Sequence, residues 1–316
     1  MKKNILTMMA VVLVAMTACE KPLLSDYEDG KSASGNVILT FSATTGDIVT
    51  RGTTTGDDTL SRNNQDTTPG ITRATTGDLS AYFTKLNVMV FDDDGNKAFS
   101  TVKTQQATDD DFGRMNVSLQ EGTYTVVAVG HSSVKSATIK SPQMVQFTAS
   151  DGEKLTDTFC YKGEFTIDEE PETFDMAMYR VGAMVRFCLT DETIPDGFAR
   201  LKIDYTGGSA NFNPTTSEGT TKSTQSENRQ RRENKTYEVY TFPYLAVSGT
   251  LKMTLSALSA DGTVIQQRTF DQVPVSRNRI TTYTGKFFEE GAGNITQNGF
   301  TFTVNGEWEG EDKHNF

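Results

Sequence analysis

An all-β fold of two tandem antiparallel β-sandwiches is what the sequence predicts, and three observations carry it. Short apolar runs alternate with period 2 or are wholly apolar, turn residues separate them, and no long stretch spaces its apolar residues as a helix would. The chain of 316 residues exceeds the length at which one hydrophobic core usually stops growing, so two domains are expected.

The first element is an export signal. Lys2 and Lys3 precede an apolar run from Ile5 to Ala18, and Cys19 follows the small residues Thr17 and Ala18. That run is shorter than the roughly 20 residues a membrane helix needs. A cysteine at the cut resembles a bacterial lipoprotein signal, so residues 1–18 are expected to be removed and Cys19 acylated. Several acyl chains on one residue give lasting attachment to a membrane. Residues 19–35, with Asp26, Glu28 and Asp29, read as a flexible tether.

A first strand follows, in which Val37, Leu39, Phe41 and Ala43 recur with period 2. Residues 44–78 are dominated by Thr, Gly, Asp and Asn and lack the apolar surface to offset ordering, so they read as an exposed loop. Arg51, Arg62 and Arg73 stand in it as protease-accessible sites. From Phe83 the strands come in quick order. Leu86–Phe91 leads into Asp92-Asp93-Asp94-Gly95-Asn96, which reads as a hairpin turn because no Glu closes it as a calcium loop. Met115, Val117 and Leu119 alternate, and 124–129 is fully apolar, as expected at the centre of a sandwich. A break at Asp168-Glu169-Glu170-Pro171 sets the domains as 36–175 and 176–316. The second half shows strand signals at 201–205, 237–242, 251–258, 264–270 and 280–288, with a hairpin turn at Asp261-Gly262. A last strand, 299–308, places Phe300, Phe302, Val304 and Trp308 on one parity. It either pairs within its own domain or is donated to a neighbour.

Composition excludes several functions. With 41 acidic and 30 basic residues the net charge is −11, and −13 once Lys2 and Lys3 leave with the signal, so nucleic acid is not an expected partner. The basic run Arg229, Arg231, Arg232, Lys235 lies in a polar stretch, 215–234, that reads as a solvated loop. Cys160 and Cys188 fit either a disulfide or buried thiols. His131 and His314 lie far apart, so neither a metal site nor a cofactor is expected. The acids Asp109-Asp110-Asp111 and Glu169-Glu170 sit in turns, where solvated carboxylates explain them better than catalysis.

Four segments together resemble the fimbrillin-type fimbrial subunits of Bacteroidetes, with FimA-like shaft and FimB-like anchor or minor members. They are Leu86-Asn87-Val88-Met89-Val90-Phe91-Asp92, Leu119-Gln120-Glu121-Gly122-Thr123-Tyr124-Thr125-Val126-Val127-Ala128, Met178-Tyr179-Arg180-Val181-Gly182-Ala183-Met184-Val185-Arg186-Phe187, and Ser276 through Phe288. The resemblance spans about residues 36–290. It implies transthyretin-like sandwiches, export as an outer-membrane lipoprotein to the cell surface, and no enzymatic activity. It also implies arginine-specific cleavage at Arg51, Arg62 or Arg73, which frees the first strand and opens a groove for the terminal strand of the next subunit. An anchor member would instead keep its N-terminus and lipid. The expected partners are other fimbrial subunits, the outer membrane through Cys19, and host or bacterial surface ligands. Asp58-Thr59-Leu60 and Asp66-Thr67-Thr68 are similar to O-glycosylation sequons, with Thr59 and Thr67 as acceptors. The competing reading is a surface glycan-binding lipoprotein that stacks sugars on Tyr205, Phe212 or Tyr244.

Overall fold

The computed structural model describes residues 35–44, 79–98, 103–148, 154–168, 173–288, 300–305 and 312–314. The first half contributes β1 (Gly35–Thr44), β2 (Lys85–Phe91), β3 (Lys103–Gln106), β4 (Arg114–Leu119), β5 (Gly122–His131), β6 (Thr138–Ser141), β7 (Met144–Gln146), β8 (Phe159–Ile167) and β9 (Thr173–Arg180). The second contributes β10 (Ala183–Leu189), β11 (Arg200–Thr206), β12 (Gly208–Ser209), β13 (Asn211–Phe212), β14 (Gln225–Gln230), β15 (Thr236–Pro243), β16 (Ser248–Leu258), β17 (Val264–Ser276), β18 (Ile280–Gly285), β19 (Phe300–Asn305) and β20 (Asp312–His314).

Seven strands form one sheet in the order β3-β2-β5-β8-β9-β1-β4. β8 and β9 are joined only through Phe159↔Arg180 and Cys160↔Tyr179, so the sheet turns a corner there and folds onto itself. Val88, Val90 and Val126 from one layer thus meet Leu39, Val117 and Met178 from the other in a single core. The free edges close through Gln105 of β3, whose Nε2 donates to the carbonyls of Asp111 and Arg114 while its Oε1 accepts from Gly113 N.

In the second half a six-stranded sheet, β12-β15-β10-β18-β19-β20, faces a four-stranded sheet, β14-β11-β16-β17. Phe187, Tyr205, Tyr237, Phe270, Tyr283 and Phe287 fill the space between. Most pairings are antiparallel, as expected, but β1 runs parallel to β9 and β10 parallel to β18.

A third core binds the halves. Met89, Phe91, Val127 and Val129 emerge on the outer face of the first sheet and pack with Ile139, Val145 and Phe147, and with Phe212 and Phe242 from the second half. β13 pairs with β7 across this core, Phe212↔Val145. β2 from Leu86 to Phe91 and β5 from Val126 to His131 are therefore covered on both faces and buried residue after residue, whereas β4 alternates exposed and buried residues and serves one core only.

The boundary expected after residue 175 falls inside β9, which pairs along its length with β1 and stays in the first sheet. The chain passes between the sheets at Val181 and Gly182. Val181 N donates to Thr158 O on one side, and Gly182 O accepts from Asn278 N on the other. The polar stretch 215–234, expected to be a solvated loop, contains β14, and that expectation is corrected.

Candidate assembly site

β1 is the strand that the sequence resemblance expects cleavage to free. It lies inside the sheet, antiparallel to β4 from Gly35↔Leu119 to Thr40↔Arg114 and parallel to β9 from Ile38↔Thr173 to Thr44↔Tyr179. Val37 and Leu39 are 0% exposed, and Phe41 and Ala43 are buried beside them, so the period-2 face meets the core as its sequence requires. Burying a side chain such as Val, Leu or Phe is worth about 1.5–3 kcal/mol, so the strand is held mainly by this face. Leu79 is buried in the same core, and Gly113 at φ 87° passes close beneath it. Phe41 N donates to Gly113 O at 2.8 Å.

At the other end of the sequence β19 pairs antiparallel with β18, Ile280↔Asn305 to Gly285↔Phe300, and β20 turns back on it. The strand expected over 299–308 is thus Phe300–Asn305 in its own sheet, with β20 an element the sequence did not announce. Cys19, Arg51, Thr59, Arg62, Thr67, Arg73 and Trp308 lie outside the described residues.

Two polar networks stiffen the molecule around the shared core. His131 is 0% exposed, with Nδ1 3.1 Å from Ser133 N and Nε2 2.8 Å from Asn87 Oδ1 and 3.1 Å from Ala137 N. Burial, helped by the nearby Lys85 charge, pushes its pKa down to about 3, so the ring stays neutral. Arg180 donates from Nε to both Asp157 oxygens, at 2.8 and 3.0 Å, and lies over the Phe159 ring. Its Nη1 reaches Asn278 Oδ1 at 3.4 Å and so ties the first half to the second.

The thiols of Cys160 and Cys188 are both free, and burial raises the pKa of Cys160, which makes it a core side chain rather than a nucleophile. Asp92 to Asn96 form the expected turn, with Asn96 N donating to Asp92 Oδ1. Of the aromatics considered for sugar stacking, Tyr205 and Phe212 are 1% and 0% exposed and belong to the cores, leaving Tyr244 half-buried.

Sequence reading missed β14, because its buried face is Gln225, Glu227 and Arg229 rather than apolar. Arg229 Nη1 pairs with Glu227 Oε2 at 2.8 Å, and Arg229 Nε donates to Glu238 O. Opposite charges two residues apart on one strand face were the available signal.

No curated protein matches the sequence. A candidate polysaccharide-binding protein (DUF1812) from Bacteroides thetaiotaomicron shares the fold, at a TM-score of 0.50 and 12% identity over 89% of this chain and 99% of its own. A fimbrial assembly protein from Parabacteroides distasonis aligns at 0.44 and 14% identity over 90% of this chain and 99% of its own. The tip fimbrial protein Mfa3 from Porphyromonas gingivalis aligns at 0.39 and 10% over 86% and 99%. Residues 50–315 match DUF6562, a family of unknown function, and the chain belongs to that family.

Proposed function

We propose that this chain is a structural subunit of a cell-surface fimbria, without chemistry of its own, exported as a lipoprotein acylated at Cys19 and joined to other subunits by strand exchange. One observation carries the reading. β1 is an apolar strand seated between β4 and β9, and the sequence between it and the buried Leu79 holds Arg51, Arg62 and Arg73. A cut at any of them separates β1 covalently from the remainder of its sandwich. Its departure leaves a trough that an alternating strand such as 300–308, with Phe300, Phe302, Val304 and Trp308, can refill. A subunit left uncut keeps its lipid and serves as an anchor, while a cut one polymerises as shaft or tip. Domain limits move with the fold, and we take the halves as residues 36–181 and 182–316. Thr59 and Thr67 remain proposed glycosylation sites.

The test is limited digestion of the mature protein with an arginine-specific protease. Mass spectrometry should find new N-termini after Arg51, Arg62 or Arg73, and electrophoresis without boiling should show ladders. Cleaved protein that stays monomeric under every condition would overturn strand exchange. A glycan-binding lipoprotein is the second reading, favoured by the description of the Bacteroides thetaiotaomicron structure that shares the fold.

A further inference from the structure

We infer that the turn between β14 and β15, at the end of the second sandwich away from the shared core, is a binding site for an acidic sugar. β15 runs from Tyr237 at this turn to Phe242 in the shared core, a separation of about 17 Å at strand rise. The turn borders a cavity of about 100 Å³ with an apolar floor of Leu189, Ile194, Phe198 and Tyr237. Arg231, Arg232 and Lys235 stand on the rim with one acid, Glu233. On a chain of net charge −11 this is a local reversal of sign. At physiological salt the Debye length is about 8 Å, so an anion at the rim responds to these cations more than to distant carboxylates.

The turn is built to hold its shape. Arg231 N donates to Ala199 O and Arg232 N to the Tyr237 hydroxyl. Lys235, at φ 53°, closes the turn through its N to Arg232 O, and its Nζ donates to Asp191 O at 2.6 Å. Lys235 O in turn accepts from Leu189 N. Arg231 is exposed and makes no ion pair among the described residues, so its guanidinium is available to a carboxylate or sulfate. A fixed turn binds without a large ordering cost. The cavity is too small for a nucleobase, and its aromatics are nearly covered, but a ring substituent or a methyl group fits over Ile194.

This site stands whether or not β1 is exchanged. The test titrates the mature chain with polygalacturonate, dextran sulfate, neutral dextran and poly-glutamate at physiological salt. Binding is expected to one acidic polysaccharide and not to dextran, the carboxylate or sulfate arm naming the anion. Arg231→Ala with Arg232→Ala should weaken it at least tenfold, and Lys252→Ala, on an exposed cation elsewhere, less than twofold. Ile194→Glu, which places a carboxylate in the mouth, should also abolish binding and serves if the double variant fails to fold. Equal weakening by Lys252→Ala, equally tight binding of poly-glutamate, or no binding to either polysaccharide overturns the proposal.

Discussion

β1 and β14 are both alternating strands, yet they bury opposite chemistries. β1 turns Val37, Leu39 and Phe41 inward from a position inside its sheet, whereas β14 turns Gln225, Glu227 and Arg229 inward from the edge of its own. The difference concerns what can replace each strand. An apolar trough accepts any strand with alternating apolar residues, because the hydrophobic effect has no direction. A slot lined for a paired glutamate and arginine accepts only a strand that restores both charges. Inward charges at an edge also discourage a foreign chain from adding there. The chain thus buries an apolar strand inside one sheet and a charged strand at the edge of another.

The sharpest way to break this comparison is at the charge pair. Arg229→Met leaves Glu227 buried against an apolar partner and should cost about 3–5 kcal/mol in urea unfolding. Glu227→Leu with Arg229→Met should recover the loss, since replacing a whole buried pair is commonly neutral or stabilising by about 1–4 kcal/mol. If the double variant is as unstable as the single one, β14 is not held by its pair. For β1, Phe41→Ala should cost about 3–5 kcal/mol through the cavity it leaves, with no second substitution on β14 able to rescue it.

A smaller effect separates the neutral core polar groups from both strands. His131 has a folded pKa of about 3 against 6.5 unfolded, so on acidification the unfolded state takes up a proton first. Its contribution is complete above about pH 6.5 and is lost as the pH falls toward 3, at about 1.4 kcal/mol per unit, or about 2 kcal/mol by pH 5. Denaturation curves of the wild type and His131→Gln between pH 7 and 5 should differ in slope by that amount; parallel slopes refute it. The smallest effect belongs to Tyr205→Phe, which removes the hydroxyl that donates to Tyr240 O at 2.8 Å and should cost about 1 kcal/mol. A loss above about 3 kcal/mol there would mean that the ring itself had moved.

Much of the first sandwich was legible beforehand, because β1, β2, β4 and β5 are defined by apolar pattern and by turns such as Asp92–Asn96. β6, β12 and β13 were not, since strands of two to four residues carry too few positions to show a period. Residue 175, the expected domain limit, lies inside β9, and no local pattern announces the pairing of β9 with β1. Tyr205 and Phe212, taken as possible sugar platforms, proved to be core because an aromatic's sequence context does not say which sheet face it meets.

By itself the sequence determined the all-β class, the alternating face of β1 and the basic run at Arg229 to Lys235, each set by local periodicity or composition. Tertiary structure alone decided that β1 sits between β4 and β9, that Arg229 turns inward to Glu227 while Arg231 and Arg232 rim a cavity, and that a third core joins the halves. Those outcomes depend on which strands become neighbours. Contacts between residues far apart in sequence leave no period to read, and they arise only when apolar faces and buried charges find partners across the fold.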